Sequence, residues 1–279
     1  MRIGVSAARR FAERPSYSYP RLDRWVPPGE LGAGRYRARF AVGEQDLEAV
    51  QRLRFDVLNL EFECGLPESF ETGLDADGFD EQCHHLLVED RASGEVVATY
   101  RLCTRELAEP ARMATAGQFV LGRLPEPVLD HGVEISRACL AVDHRNPEML
   151  LLLWKGLARY ADWNDKRFLF GCAGLARVDA TTVSSVCLQL SRRGQLHRRI
   201  RVPARERPLL TYAGPSELQT DIRLPGLFDC VLRLGGKVVS GPAVDHSAGV
   251  SEFLVLLDLR TVTAANRRAL GGPGEWRIA

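Results

Sequence analysis

No apolar stretch in these 279 residues approaches the roughly 18 needed to cross a bilayer; the longest candidate is M-L-L-L-L-W at 149–154. The first ten residues, M-R-I-G-V-S-A-A-R-R, lack the apolar core of a secretory signal, so an intracellular setting is expected. Seven cysteines are present, but none forms a C-x-x-C pair, which speaks against a disulfide framework and against structural zinc. Free thiols, mostly in the core, are expected instead. Catalytic metal spacings such as H-E-x-x-H and H-x-x-E-H are missing, and adjacent His84 and His85 on a strand would point to opposite faces; no metal site is expected. There is no G-x-S-x-G elbow, no G-x-G-x-x-G and no Walker A loop, which disfavours hydrolase, dinucleotide and nucleotide chemistry. An excess of one charge sign is lacking too: the formal net charge is +1. No internal repeat is visible.

What is present is the composition of an ordinary globular protein, 45% hydrophobic and 26% charged. One stretch departs from the charge balance: R-R-G-Q-L-H-R-R-I-R-V-P-A-R-E-R, 192–207, sets many arginines against the single acid Glu206. It reads equally as a solvated loop or as a patch for an anionic partner, whether phospholipid headgroups or an acidic carrier protein. Nucleic acid is disfavoured, because no aromatic residue interleaves with the arginines.

Residues 1–35 show no periodicity and read as a loose basic arm, and 266–279 as a flexible tail, around one domain over 36–265. Within it, Y-R-A-R-F-A-V alternates like a strand and residues 44–60 carry a helical pattern with Leu47, Val50, Val57 and Leu58 on one face. H-H-L-L-V-E-D and V-V-A-T-Y-R-L-C-T form a hairpin pattern, and V-E-I-S-R-A-C-L-A-V (133–142) is a third β-like run. An apolar helix over 148–161, a strand at 167–175, a helix at 179–194 with Asp179 as cap and Gly194 as stop, a helix within 224–236, and strands from 237 and at 253–259 follow. Strands alternating with helices predict an α/β protein: one mixed sheet covered on both faces.

Four charged clusters break the local pattern: Asp75, Asp77 and Asp80 in L-D-A-D-G-F-D; Arg101 inside V-V-A-T-Y-R-L; Glu134 with Arg137 in V-E-I-S-R-A-C-L; and Arg54 in L-R-F-D-V-L. Glu134 and Arg137, three apart, point to opposite faces of a strand unless a bulge intervenes. Ionised groups in apolar segments cost several kcal/mol unless paired, so these acids and arginines are expected to meet. They form either a buried ion-pair network without chemistry or a cleft that grips a zwitterion, guanidinium on carboxylate and carboxylate on ammonium.

As an ordered set, L-R-F-D-V-L, D-A-D-G-F-D, V-V-A-T-Y-R-L and V-E-I-S-R-A-C-L resemble the signature of acyl-homoserine-lactone synthases. The set is more similar still to the ornithine-lipid N-acyltransferases and N-acyl amino acid synthases, often labelled hemolysin-like. The segments D-H-R-N, F-L-F-G-C-A-G-L and L-P-G-L-F-D-C-V-L-R-L-G-G extend the resemblance to roughly 38–260. These families belong to the GNAT superfamily. The resemblance implies a GNAT-like fold whose central mixed sheet is splayed in the middle, with an acyl thioester in the opening. It implies transfer of a long-chain, 3-hydroxylated acyl group from acyl carrier protein to the α-amino group of an amino acid, ornithine first among them, to give lyso-ornithine lipid. The alternatives are synthesis of an autoinducer-type signal or other N-acyl amino acid, and a carrier-protein or membrane-binding module without catalysis.

Carried over by motif, Glu134, Asp77 and Asp80 are the implied catalytic positions, and Arg54, Arg101, Arg137, Asp75 and Phe119 the implied substrate-binding ones. Asp75 stands where the lactone synthases have glutamate, and F-Y-S-x-x-E-F-D is replaced here by A-G-Q-F-V-L-G-R-L-P, which keeps Phe119 and loses the acids. Coenzyme-A-dependent GNAT enzymes carry a Q/R-x-x-G-x-G/A loop that cradles pyrophosphate. Here the loop is D-H-R-N-P-E-M, which favours a carrier-protein thioester as co-substrate and no bound cofactor. Arg145 in that loop, with Arg198, Arg199 and Arg201 in the basic stretch, are the implied contacts for the carrier protein or its phosphopantetheine. An apolar product implies a cytoplasmic enzyme in peripheral contact with the inner membrane.

Overall fold

Tyr36, Ala38 and Phe40 alternate with arginines and form strand β1 (Tyr36–Phe40), apolar side inward. The computed structural model describes residues 19–32, 34–176, 178–207, 219, 221–245 and 249–270. Helix α1 (Glu44–Arg54) carries Glu44 and Asp46 in its first turn, where the helix dipole favours acids. The expected hairpin is β2 (His84–Asp90) and β3 (Val96–Thr104). A short α2 (Glu126–Asp130) leads into β4 (Gly132–Leu140). Helix α3 (Pro147–Trp163) starts on Asn146, whose side chain accepts from the Met149 amide at 2.9 Å. Then come β5 (Phe168–Ala176) and α4 (Ala180–Arg192), capped by Asp179 and followed by Gly194 at a φ of 62°. Helix α5 (Gly226–Arg233), strands β6 (Lys237–Val238), β7 (Ala243–Asp245) and β8 (Val250–Asp258), and helix α6 (Ala264–Leu270) complete the described chain.

The strands form one mixed sheet in the order β1-β2-β3-β4-β5-β8-β6, with β7 also on β8. All neighbours are antiparallel except β4 and β5, which are parallel and pair only over Gly132–Glu134 against Phe168–Phe170. Beyond that rung the two strands part. Gly171 stands at the fork: a Cβ there would meet the Ile135 carbonyl oxygen at 2.1 Å, so only glycine allows the strands to approach before they diverge.

One face is covered by α3, whose Met149, Leu153 and Leu157 pack with Leu86, Val88 and Leu102 in the main core. On the other face α1 covers the β2–β4 half, Val50 meeting Leu87 and Leu53 meeting Cys139. The remaining half is covered by the irregular segment between β3 and β4: Phe119, Leu121 and Leu129 bury Phe170 and Leu254. Among the described residues no helix is long and apolar enough to cross a membrane.

The structure departs from expectation at three places. The helix expected over 44–60 keeps α geometry only to Arg54, and Phe55–Glu61 is a π-helical turn. Its wider ladder divides the apolar positions, with Val57 buried and Leu60 and Phe62 exposed. The described part of the expected loose arm is packed: the Arg21 carbonyl meets His84, and the Arg24 carbonyl meets Trp163. The rest of that arm, 1–18 and residue 33, lies outside the described residues. The expected tail begins as helix α6, with Leu270 buried, because Leu270 still finds apolar partners in the main core; 271–279 lie outside the described residues.

Candidate active site

The ionised clusters do meet. Arg54, fully buried, donates through Nε to Asp75 at 2.8 Å and through Nη1 to Asp80 at 2.7 Å. Arg101 donates through Nη1 to Asp77 at 2.5 Å and Asp80 at 2.9 Å, and through Nε to Ser136 Oγ at 3.1 Å. Arg137 completes the set, its Nη2 3.2 Å from Asp77 and its Nε 3.2 Å from Asp75. Three arginines thus face three aspartates, and the formal charges cancel.

Asp80 is the hub, since it also receives Gln51 Nε2 at 2.9 Å and lies 3.3 Å from His85 Nε2. Burial alone would push its carboxyl up, but the His85 bond and the Arg54 charge outweigh this and hold it well below the usual range. Asp77 is likewise lowered, Arg101 overcoming burial. His85 is held down to about 4 by burial, against the pull of Asp80, and its Nδ1 meets Tyr19 Oη at 2.7 Å. His84 points to the other face, where Tyr160 Oη lies 2.7 Å from Nδ1.

Glu134 and Arg137 share a face because a bulge intervenes. Thr99 pairs with Cys139 and Arg101 with Ser136, so Arg137 and Ala138 together oppose Tyr100. Arg137 takes up the bulge with a φ of 48°. Its side chain, a quarter exposed, reaches the aspartates while lining the opening between β4 and β5.

That opening is a cleft of about 350 Å³. Its walls are mostly apolar, with Leu58 from the π turn and Phe62 just after it, Tyr100, Ile135 and Trp154 on the β4 side, and Leu169, Phe228 and Val255 across it. Past Glu134, β4 has a strand partner on one side only, so peptide groups of its free edge face the cleft.

Glu134 sits on the last rung before the fork, paired with Phe170, and is buried. Oε1 accepts from the Thr115 amide at 2.6 Å, whereas Oε2 has no hydrogen-bond partner. Burial pushes this carboxyl above its ordinary range, against the Thr115 bonds that favour the charged form. Cys172, which lines the cleft, feels both Glu134 and Glu252, and these charges add to burial in raising its thiol well above the usual value.

Other expected residues lie apart from this centre. Phe119 is in the core with Leu121 and Val202 rather than among the residues that line the cleft. Arg145 is near the cleft mouth, 5.3 Å from the Phe62 ring centroid, paired with Glu61 and donating to the Leu140 carbonyl. Arg198, Arg199 and Arg201 are exposed on a loop that bridges to the sheet through Leu196 and Val202. Sequence reasoning missed Ser136, Thr115, Cys172 and Glu252. Of these only Glu252 carried a signal, a charge entering the apolar run V-S-E-F-L-V-L-L.

Residues 53–155 match the family described as acetyltransferase (GNAT) domain. The chain is 29% identical over 245 residues to the L-ornithine N(alpha)-acyltransferase of Rhodobacter capsulatus, a match covering 83% of this chain and 93% of that protein. It is 26% identical over 256 residues to the L-ornithine N(alpha)-acyltransferase of Agrobacterium fabrum, 87% of each chain being covered. Among solved structures, the AHL synthase LasI aligns over 86% of this chain and 96% of its own, with 15% identity and a TM-score of 0.49. The chain is an acyltransferase that carries a GNAT domain.

Proposed function

We propose that this acyltransferase moves a long-chain, 3-hydroxylated acyl group from the thioester of acyl carrier protein to the α-amino group of an amino acid, L-ornithine, giving lyso-ornithine lipid. The observation that carries the reading is Glu134: a buried carboxylate with one vacant oxygen, on the last rung before an apolar cleft opens. The names of the relatives, L-ornithine N(alpha)-acyltransferase, support the acceptor.

An ammonium group must lose its proton before nitrogen can attack a thioester carbon. Glu134, its affinity for a proton raised by burial, accepts that proton through Oε2 or through one water. The C–N bond forms, the tetrahedral oxyanion is met by peptide N–H groups of the free β4 edge, the nitrogen gives up its second proton to solvent, and the C–S bond breaks. The departing thiolate takes up the proton, so no covalent enzyme intermediate is needed. Arg137 offers its cleft-facing side to the acceptor carboxylate. In this reading Asp75, Asp77 and Asp80, each bonded to arginine, fix Arg54, Arg101 and Arg137 and thereby the bulge that brings Arg137 beside Glu134.

The start of α3 supports the carrier-protein donor. Pro147 has no N–H and the Met149 amide is taken by Asn146, so two donors that a helix N-terminus would turn toward a pyrophosphate are absent or engaged. Arg145, Arg198, Arg199 and Arg201 are the cations offered to the carrier protein and its single phosphate, and the apolar product brings the enzyme into peripheral contact with the inner membrane. The test is incubation of the purified protein with 3-hydroxyacyl carrier protein or the matching acyl-CoA and a panel of amino acids, read by mass spectrometry. The expected result is N-acyl-ornithine from the carrier-protein donor. Absence of any N-acylated amino acid, ornithine included, overturns the reading.

A further inference from the structure

Among the described residues that line the cleft there is one carboxylate, and the acyl-transfer chemistry does not use it. Glu252 lies on β8 within a strand whose next five residues, Phe253–Leu257, are buried, and its side chain is half-buried and lines the cleft. It is level with Gly174 of β5, and its Oε1 lies 4.0 Å from the position a Cβ would occupy there. Two residues deeper along β5, the Cys172 thiol is hydrogen-bonded to Glu252 and also lies within the field of Glu134. The ladder registers place all three on one face of the sheet, since Glu134 pairs with Phe170 and Glu252 with Gly174.

The two carboxylates therefore stand on opposite sides of the fork, one at its base and one further out, with Cys172 between them. Phe170 and Gly174 are four residues apart, about 13 Å of strand rise, a span within the combined reach of two glutamate side chains and an extended ornithine. Glu134 stands at the base of the fork, on the last rung before the lined cleft, with its Oε2 buried and without a partner. An α-amine delivered there, with its carboxylate on Arg137, has its own side chain left to run outward along the cleft. A cationic end on that side chain arrives at Glu252.

We propose that Glu252 selects an acceptor with a second, distal ammonium group, and so discriminates ornithine from neutral amino acids of the same length. The inference rests on the reading that the acceptor is an amino acid. A charge-assisted hydrogen bond of this kind is worth about 10- to 100-fold in binding.

The test compares wild type with Glu252→Gln and Glu252→Asp, using 3-hydroxyacyl carrier protein as donor and either ornithine or norvaline as acceptor. Norvaline has the same carbon chain without the distal amine. Glu252→Gln is expected to raise KM for ornithine about 10- to 100-fold, to leave kcat within about threefold, and to leave kcat/KM for norvaline unchanged. Glu252→Asp keeps the charge and is expected to keep most of the preference for ornithine, which serves if the glutamine variant fails to fold. Parallel losses on both acceptors, or an unchanged ornithine-to-norvaline ratio in the folded variant, overturn the proposal. So does a wild-type enzyme that acylates both equally well. A wild type that acylates no amino acid overturns the proposed function itself, and is seen before any variant is made.

Discussion

Glu134→Gln separates catalysis from architecture. Glutamine keeps the shape and the acceptor oxygen that the Thr115 amide meets at 2.6 Å, so the turn at 115 stays anchored. The substitution also removes a carboxyl whose burial already penalises its charged form. Against that gain, the new amide NH2 occupies the place of an oxygen that has no partner, and a buried unsatisfied donor costs about 1–3 kcal/mol. The two effects oppose, and the melting temperature is expected to move by a few degrees only. Turnover behaves otherwise. General base catalysis contributes roughly 10²- to 10⁴-fold, and the amide cannot accept the proton, so kcat should fall by that factor with KM for ornithine little changed. Single-turnover acyl transfer measured against pH adds an independent signature. Because burial raises the Glu134 carboxyl, the wild-type rate should fall on the acid side above the ordinary carboxylate range, and the variant should lack that limb. A folded variant within tenfold of wild type that retains the acid limb would refute the assignment.

Arg54→Met leaves Asp75 and Asp80 buried without their main cation, and should destabilise the protein by about 3–5 kcal/mol in denaturant titration. Gly171→Ala forces a Cβ to within 2.1 Å of the Ile135 carbonyl, so the fork must open; a loss above about 2 kcal/mol and a sharp drop in turnover are expected, and near-wild-type values for both would show that the fork yields cheaply. Acid should weaken the fold through His85. Its value is about 4 when folded and 6.5 otherwise, so between these values the unfolded chain holds a proton that the native state refuses. Stability from this group is complete above pH 6.5 and falls as the pH drops toward 4, by about 2 kcal/mol at pH 5. Glu134 titrates in the opposite sense, so chemical denaturation at pH 7 and pH 5 is best compared in the Glu134→Gln background. Equal stability at the two values there would show that His85 is protonated in the native state.

Much of the frame was legible because local rules and tertiary packing agree in this chain. The hairpin of β2 and β3 follows from two β-rich runs around R-A-S-G-E, and α4 from an Asp179 cap and a Gly194 stop that the structure uses as such. Pairing of the charged clusters was legible too, since ions in apolar segments have few alternatives. The π turn after Arg54 was not, because one added residue per turn leaves composition unchanged and shifts only the register. Nor was the cover on the half of the sheet away from α1. It is built from short 3-10 turns between Pro110 and Arg123, whose apolar residues follow neither a period of 2 nor of 3.6.

Glu134 and Arg137 show why a site of this kind resists reading from sequence. Three positions apart on a strand, they belong on opposite faces, and the bulge that reconciles them is visible only as a left-handed residue at Arg137. A non-glycine residue persists there because Asp75 and Asp77 hold its guanidinium. Those aspartates in turn are paired in their buried setting with Arg54 and Arg101. The network thus converts a local backbone penalty into the placement of one cation at the cleft and leaves no net charge behind. Glu134 stands outside that network, its Oε1 accepting from the Thr115 amide and its Oε2 without a hydrogen-bond partner. Were it paired with Arg101, its affinity for a proton would be driven down as that of Asp77 is, and it would be a poor base. In the proposed reaction, the separation of the neutralised ions from this carboxylate is therefore what would let one face of one strand serve both substrate recognition and proton transfer.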